Sequence, residues 1–215
     1  MKFLSINTAG PQVQVALYNN GNITYKSDSF KKASVTLFVF IDELLSSANL
    51  SINDLDFIGV VTGPGSFTGI RIGLTAVRTL SQFSNITIVP VTYMEVLAYN
   101  SEELLPCAVL SDASNGLIYA SVFNAQKNCT VQPIALPLSE INAFIASLNA
   151  PLKIIACNSL KNSLSLPDQK IIFSSENYDA LIGTTLANYK KNGTQGYQKI
   201  EPLYVRVSQA EANLK

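Results

Sequence analysis

A chain of 215 residues, 47% apolar and 14% charged, has enough apolar surface to close a core and too little charge to stay disordered. Its 15 basic and 15 acidic residues cancel, so it lacks the basic excess with which proteins that grip nucleic acid unaided neutralise phosphates. It has no histidine, which excludes Ser-His-Asp and Cys-His nucleophiles, His-ligated metals and imidazole acid–base chemistry.

The three cysteines, Cys107, Cys129 and Cys157, are too widely spaced for a disulfide framework or a zinc ribbon and fit free thiols in a reducing compartment. The apolar opening at Phe3-Leu4 is interrupted at Asn7, too soon for a signal peptide or a membrane span. The chain is therefore expected to be cytoplasmic.

In chain order, Phe3 to Asn7 reads as a strand and Thr8-Ala9-Gly10-Pro11 as a turn. Val13, Val15 and Leu17 then alternate with Gln12, Gln14 and Ala16 at the period of a half-buried strand. Asn19-Asn20-Gly21-Asn22 signals a hairpin, and Ile23 to Tyr25 begins the return strand of an antiparallel meander. A helix follows, with Ser34 or Thr36 as its cap and Leu37, Ile41, Leu44, Leu45 and Ala48 at helical spacing. Phe38, Val39 and Phe40 add apolar surface outside that stripe, so the helix offers more than one apolar face. Either its own fold covers both faces, or a partner docks on the second.

Leu50 to Leu55 reads as a capped turn, Phe57 to Thr62 as a buried strand, and Thr68 to Phe83 as a helix reached through Gly63-Pro64-Gly65-Ser66-Phe67. Ile86 to Val91 is a further strand, and Thr92 caps a helix through Asn100, giving the order βββαβαβα. In the second half, strands at Ala108 to Ser111 and Leu117 to Phe123 flank a turn at Ala113-Ser114-Asn115-Gly116. A helix near Ser139 to Leu148, strands at Lys153 to Cys157 and Lys170 to Phe173, and a helix at Tyr178 to Lys190 complete the chain. The boundary is expected between Tyr99 and Pro106, with an N-terminal lobe at 1–102 and a C-terminal lobe at 103–215 whose last residues can return to the first. Two α/β lobes of mixed sheet resemble the duplicated ribonuclease-H-like fold of actin and the sugar kinases.

Gly63 to Gly73 holds most of the functional information. A P-loop is excluded because no Lys follows the glycine turn. A dinucleotide fingerprint fits poorly: Thr68 stands at the sixth position and Val89-Pro90-Val91-Thr92 supplies no acidic residue for a ribose. A third reading looks at the helix. Gly65, Gly69 and Gly73 recur every four residues and Ala76 follows three later, which places them on one face. Glycine within a helix costs about 1 kcal/mol relative to alanine, so a repeated glycine implies a neighbour that approaches too closely for a Cβ. That neighbour is either this chain's own sheet or first helix, or a partner, with Arg71 and Arg78 on other faces.

The run Gly63-Pro64-Gly65-Ser66-Phe67-Thr68-Gly69-Ile70-Arg71-Ile72-Gly73 resembles the signature of the TsaB (YeaZ) family. The likeness extends to Phe3-Leu4-Ser5-Ile6-Asn7-Thr8, Ile41-Asp42-Glu43-Leu44-Leu45 and Val91-Thr92. It thins in the second half to Ser111-Asp112-Ala113, Gly116, Tyr119 and Glu201 to Arg206. The resemblance implies a catalytically inactive scaffold and paralogue of the transferase. Such a protein pairs with a TsaD-like subunit through its first and glycine-bearing helices to support threonylcarbamoylation of adenosine-37 in tRNA. It also implies a TsaE-like ATPase in the assembly, a homodimer when the chain is alone, and tRNA contact only through the complex. On this reading Leu37, Phe40, Ile41 and Leu44 on the first helix and the close-packing face of Gly65, Gly69, Gly73 and Ala76 on the glycine-bearing helix form the partner-binding surface, with Arg71 as a polar anchor. No metal and no cofactor of its own are implied; ATP or ADP at the partner interface stays open. Asn7 stands where the family usually has Asp, and neutral Asn is a weak ligand for a hard cation. Asn7 and Thr8 nonetheless remain the candidates for a cleft. The alternative is a small enzyme of the same superfamily, a kinase or a peptidase-like hydrolase, acting in its own cleft.

Overall fold

The computed structural model describes residues 1–29, 33–99, 106–148, 153–166, 170–174 and 177–206. The chain forms two compact units, Met1–Tyr93 with Asn177–Leu203, and Met94–Glu176 with the segment from Tyr204. The boundary expected between 99 and 106 falls largely on 100–105, outside the described residues.

In the first unit β1 (Lys2–Asn7), β2 (Gln12–Asn19) and β3 (Asn22–Ser29) form the antiparallel meander. Asn20 and Gly21 close the β2–β3 hairpin with φ of 49° and 101°, the left-handed pair that a two-residue hairpin turn requires. Helix α1 (Ala33–Ser47) begins at Ala33, so Ser34 and Thr36 lie inside it and neither caps it. The chain then returns as β4 (Phe57–Val61), α2 (Phe67–Ser84) and β5 (Thr87–Val91). The sheet runs β3-β2-β1-β4-β5, parallel from β1 through β5. Every residue of β4 is buried, as a strand covered on both faces must be.

Helix α5 (Tyr178–Asn192) covers one face of this sheet although more than a hundred residues of sequence separate it from β1. Asn177 caps it by accepting from the Ala180 N–H at 2.7 Å, and Lys190 and Lys191 in its last turn complement the helix dipole. A row of stacked rings, Tyr18, Phe3, Phe57 and Tyr189, runs from the sheet into this helix with centroids 5.0, 4.6 and 4.4 Å apart. Beside it the Ser5 hydroxyl donates to Thr185 Oγ1 at 2.9 Å. Leu4, Ile6, Ile58 and Val60 alternate to the other face, where α1 and α2 pack together.

The second unit repeats the plan. β6 (Cys107–Asp112), β7 (Leu117–Phe123) and β8 (Cys129–Pro137) are antiparallel neighbours, and β9 (Lys153–Cys157) and β10 (Ile171–Ser174) extend β6 in parallel. The order β8-β7-β6-β9-β10 is that of the first sheet, strand for strand. This is the duplicated ribonuclease-H-like arrangement expected from the sequence. The helices differ: α3 (Tyr93–Tyr99) precedes this sheet, and α4 (Ile141–Ser147) stands in the connection corresponding to α1. Where the first unit has the long α2, the β9–β10 crossover shows only a single 3-10 turn at Asn158–Leu160 among its described residues. Strand β8 has no counterpart in the sequence reading. It carries Pro133 and Pro137, which argue against a central strand but are tolerated at the sheet edge it occupies.

Candidate functional site

The glycine segment connects β4 to α2 in the first unit. Ser66 caps α2 by accepting from the Gly69 N–H at 3.1 Å, so Gly65 lies before the helix and not on its face. A Cβ on Gly65 would come within 2.3 Å of the Ala9 carbonyl oxygen, and the Ser66 N–H donates to that same oxygen at 2.9 Å. A Cβ on Gly73 would lie 2.3 Å from Thr8 Oγ1, while that hydroxyl donates to the Gly69 carbonyl at 2.7 Å. The close neighbour implied by the glycine repeat is therefore the turn after β1. Gly69, Gly73 and Ala76 are buried, so they cannot themselves present an open notch to a partner.

The expected facing stripe on α1 turns inward as well. Leu37, Ile41 and Leu44 are buried, because the helical period that aligns them aims them at the sheet. Phe40 is half-buried, with the Lys26 ammonium 5.9 Å above its ring and Lys26 paired to Glu43 at 2.5 Å. The apolar side chains left outside are Val35 (61% exposed), Phe38 (46%) and Val39 (44%), one turn of helix at the N-terminal end of α1. On α2, Arg71 is exposed with its guanidinium 5.8 Å from the Phe67 ring, and Phe83 near the C-terminus is 83% exposed. The sequence marked Phe38, Val39 and Phe40 as surplus apolar surface, but of these only Phe40 was expected in the interface, beside Leu37, Ile41 and Leu44.

Asn7 and Thr8, the cleft candidates of the sequence, sit at the end of β1 and in the turn that follows it. Both are fully buried, and Asn7 is satisfied internally: its Nδ2 donates to Gln14 Oε1 at 3.0 Å and its Oδ1 accepts from the Ala9 N–H at 3.0 Å. The second unit carries the same local turn in a different setting. Asp112, at the end of β6, accepts from the Ser114 N–H at 2.7 Å, two residues on, but it is exposed. A surface pocket of about 400 Å³ opens there, lined by Asp112, Ser114, Asn115, Leu138, Ser159 and Ser163 among others. Behind it Cys157 Sγ accepts from the Asp112 N–H at 3.3 Å and lies 3.0 Å from Ser159 Oγ. Asp112 entered the sequence reading only as part of the family likeness, because a single carboxylate in a hairpin has no spacing pattern to mark it.

Within this unit, burial raises the Tyr119 hydroxyl above its ordinary value, and the Arg206 guanidinium partly offsets that. Burial pushes the Cys107 thiol up to about 11. Both groups stay protonated at neutral pH. Among the described residues no cluster of three or more His, Cys, Asp or Glu side chains is placed to hold a metal ion, and no helix is long and apolar enough to cross a membrane.

The model of the TsaD family, tRNA N6-adenosine threonylcarbamoyltransferase, matches residues 27–192. The chain belongs to the TsaD family. Within it, the resemblance to TsaB (YeaZ) proteins read from the glycine segment stands. The tRNA threonylcarbamoyladenosine biosynthesis protein TsaB of Bacillus subtilis (strain 168) is 28% identical over 137 residues, which cover 62% of this chain and 60% of that protein. The TsaB of Escherichia coli (strain K12) is 25% identical over 134 residues, covering 60% of this chain and 57% of that protein. The chain thus spans somewhat over half the length of these curated relatives. Among solved structures, YeaZ from Pseudomonas aeruginosa superposes with a TM-score of 0.79 at 16% identity, covering 94% of this chain and 99% of that one. At that identity the superposition speaks for the fold.

Proposed function

We propose that the chain is a scaffold subunit that binds a TsaD-like partner and supports threonylcarbamoylation of adenosine-37 in tRNA without performing the chemistry. The observation that carries this reading is the exposed apolar turn of α1. Three adjacent apolar side chains, Val35, Phe38 and Val39, stand in solvent on a helix whose other face is already fully used by the core. Clustered exposed apolar side chains mark association surfaces more often than scattered ones do. Family membership and the TsaB names of the curated relatives support a TsaD-like protein as that partner.

In this reading Val35, Phe38, Val39 and Phe40 make the contact and Arg71 is its polar anchor. Leu37, Ile41, Leu44, Gly65, Gly69, Gly73 and Ala76 act from inside, holding α1 and α2 against the sheet so that the outer turn is presented rigidly. The same surface forms a homodimer when the chain is alone, a TsaE-like ATPase joins the assembly, and tRNA is met only through the complex, consistent with the zero formal net charge. The chain is proposed to bind no nucleotide in isolation. Asn7 at the end of β1 is a neutral carboxamide already paired inside the fold, which supports this.

The test is co-purification with the TsaD-like subunit of the same organism, followed by light scattering of each species. A stable one-to-one complex that replaces a homodimer is the expected result. A monomer that forms no complex would reject the scaffold reading, and tight ATP binding by the isolated chain in calorimetry would favour an enzyme acting in its own cleft.

A further inference from the structure

The chain contains three Asn-Gly dipeptides, Asn20-Gly21, Asn115-Gly116 and Asn192-Gly193, and the fold treats them differently. An asparagine followed by glycine is chemically vulnerable because the next backbone nitrogen, unshielded by a side chain, can reach the carboxamide carbon. Reaction needs a carboxamide free to rotate and a backbone N–H that is not already donated. At the β2–β3 hairpin the carboxamide is held: Asn20 Oδ1 accepts from the Met1 ammonium at 2.6 Å. At the end of α5 the Gly193 N–H donates to the Tyr189 carbonyl at 2.9 Å, and Asn192 Nδ2 donates to Asn188 Oδ1 at 3.3 Å.

The β6–β7 hairpin has neither protection. Asn115 and Gly116 are both exposed, at φ of 57° and 74°, and an added Cβ on Gly116 would meet nothing within 4 Å. Among the described residues no hydrogen bond holds the Asn115 carboxamide or the Gly116 N–H; the turn is closed instead by Ala113 N–H to Leu117 O and Leu117 N–H to Ser114 O.

We infer that Asn115 is the deamidation site of this protein, a non-enzymatic modification site at the mouth of the Asp112 pocket. The Gly116 nitrogen gives its proton to hydroxide and attacks Asn115 Cγ. The carboxamide C–N bond breaks and nitrogen leaves as ammonia after taking up a proton. Water then opens the succinimide ring at one carbonyl or the other, leaving aspartate or isoaspartate. The product places a second carboxylate beside Asp112, and the isoaspartate form adds a methylene to the backbone of a turn whose ladder register is set by its length.

The test uses the full chain, aged at mildly alkaline pH and 37 °C, then digested under acidic conditions and mapped by mass spectrometry. The expected result is a one-dalton gain at Asn115 several-fold faster than at Asn20 or Asn192, with the three rates converging when ageing is done in denaturing urea. Equal or slower reaction at Asn115 in the folded chain would overturn the inference. So would an unchanged ranking in urea, since local sequence and not the fold would then set it.

Discussion

The Thr8 hydroxyl donates to the Gly69 carbonyl at 2.7 Å and simultaneously fills the space that a Cβ on Gly73 would need, 2.3 Å away. One side chain from the turn after β1 thus accounts for the approach of α2 to the sheet and for a glycine inside that helix. Gly73→Ala should destabilise the fold by about 1–3 kcal/mol through overpacking, outweighing the better helix propensity of alanine. In the Thr8→Ala background, which removes the clashing oxygen, the same substitution should cost much less. Urea unfolding of the four members of this double-mutant cycle measures the coupling, and additivity would refute the stated contact.

A second prediction separates association from folding. Phe38→Asp and Val39→Asp change side chains that are partly exposed, so each should lower the stability by about 1 kcal/mol or less. In the proposed complex each should weaken binding by about 2 kcal/mol or more, as loss of a buried apolar anchor does. Leu37→Asp should do the reverse, unfolding the chain, because Leu37 is fully buried. Circular dichroism and light scattering with the TsaD-like subunit distinguish these outcomes.

A third concerns α5. A Cβ on Gly59 in β4 would meet Thr185 Cγ2 at 2.4 Å. Gly59→Ala should therefore lift the helix from the row of stacked rings and destabilise the first unit by about 1–3 kcal/mol. Increased hydrogen exchange in 178–192 is the direct readout, and unchanged protection there would count against close packing at Gly59.

The buried thiol supplies a pH prediction. Cys107 is pushed by burial from its ordinary 9.0 up to about 11 in the folded chain. Between those values the unfolded state has lost the proton and the folded state keeps it, so unfolding stability falls as pH rises through this window. Cys107→Ala should flatten that alkaline limb while lowering stability at neutral pH through the small cavity it leaves. At pH 8 Cys129, which is partly exposed, should react with a maleimide well before Cys107.

Periodicity made the meander, α1, α2 and most strands of the second unit legible, because a half-buried element must repeat its apolar residues at its own geometric period. Val13, Val15 and Leu17 on β2 and the hairpin at Asn20-Gly21 are cases where pattern and turn chemistry agree. The exception, β8, failed for a reason that periodicity cannot contain. Whether Pro133 is tolerated depends on the strand lying at an edge, and position within a sheet is decided by pairing.

The sequence by itself determined the order of the elements apart from β8, the lack of imidazole chemistry, the likeness of the glycine segment to its family, and the need for something to sit very close to Gly73. Tertiary structure alone decided what sits there: Thr8, far away in sequence and inside the same unit. It likewise decided that Leu37, Ile41 and Leu44 are core while Val35, Phe38 and Val39 are surface, and that Asn7 is a buried link in a turn. The physical reason is common to all three. A local pattern reports that a residue needs a neighbour, but the neighbour's identity is set by which distant segments the sheet order brings together.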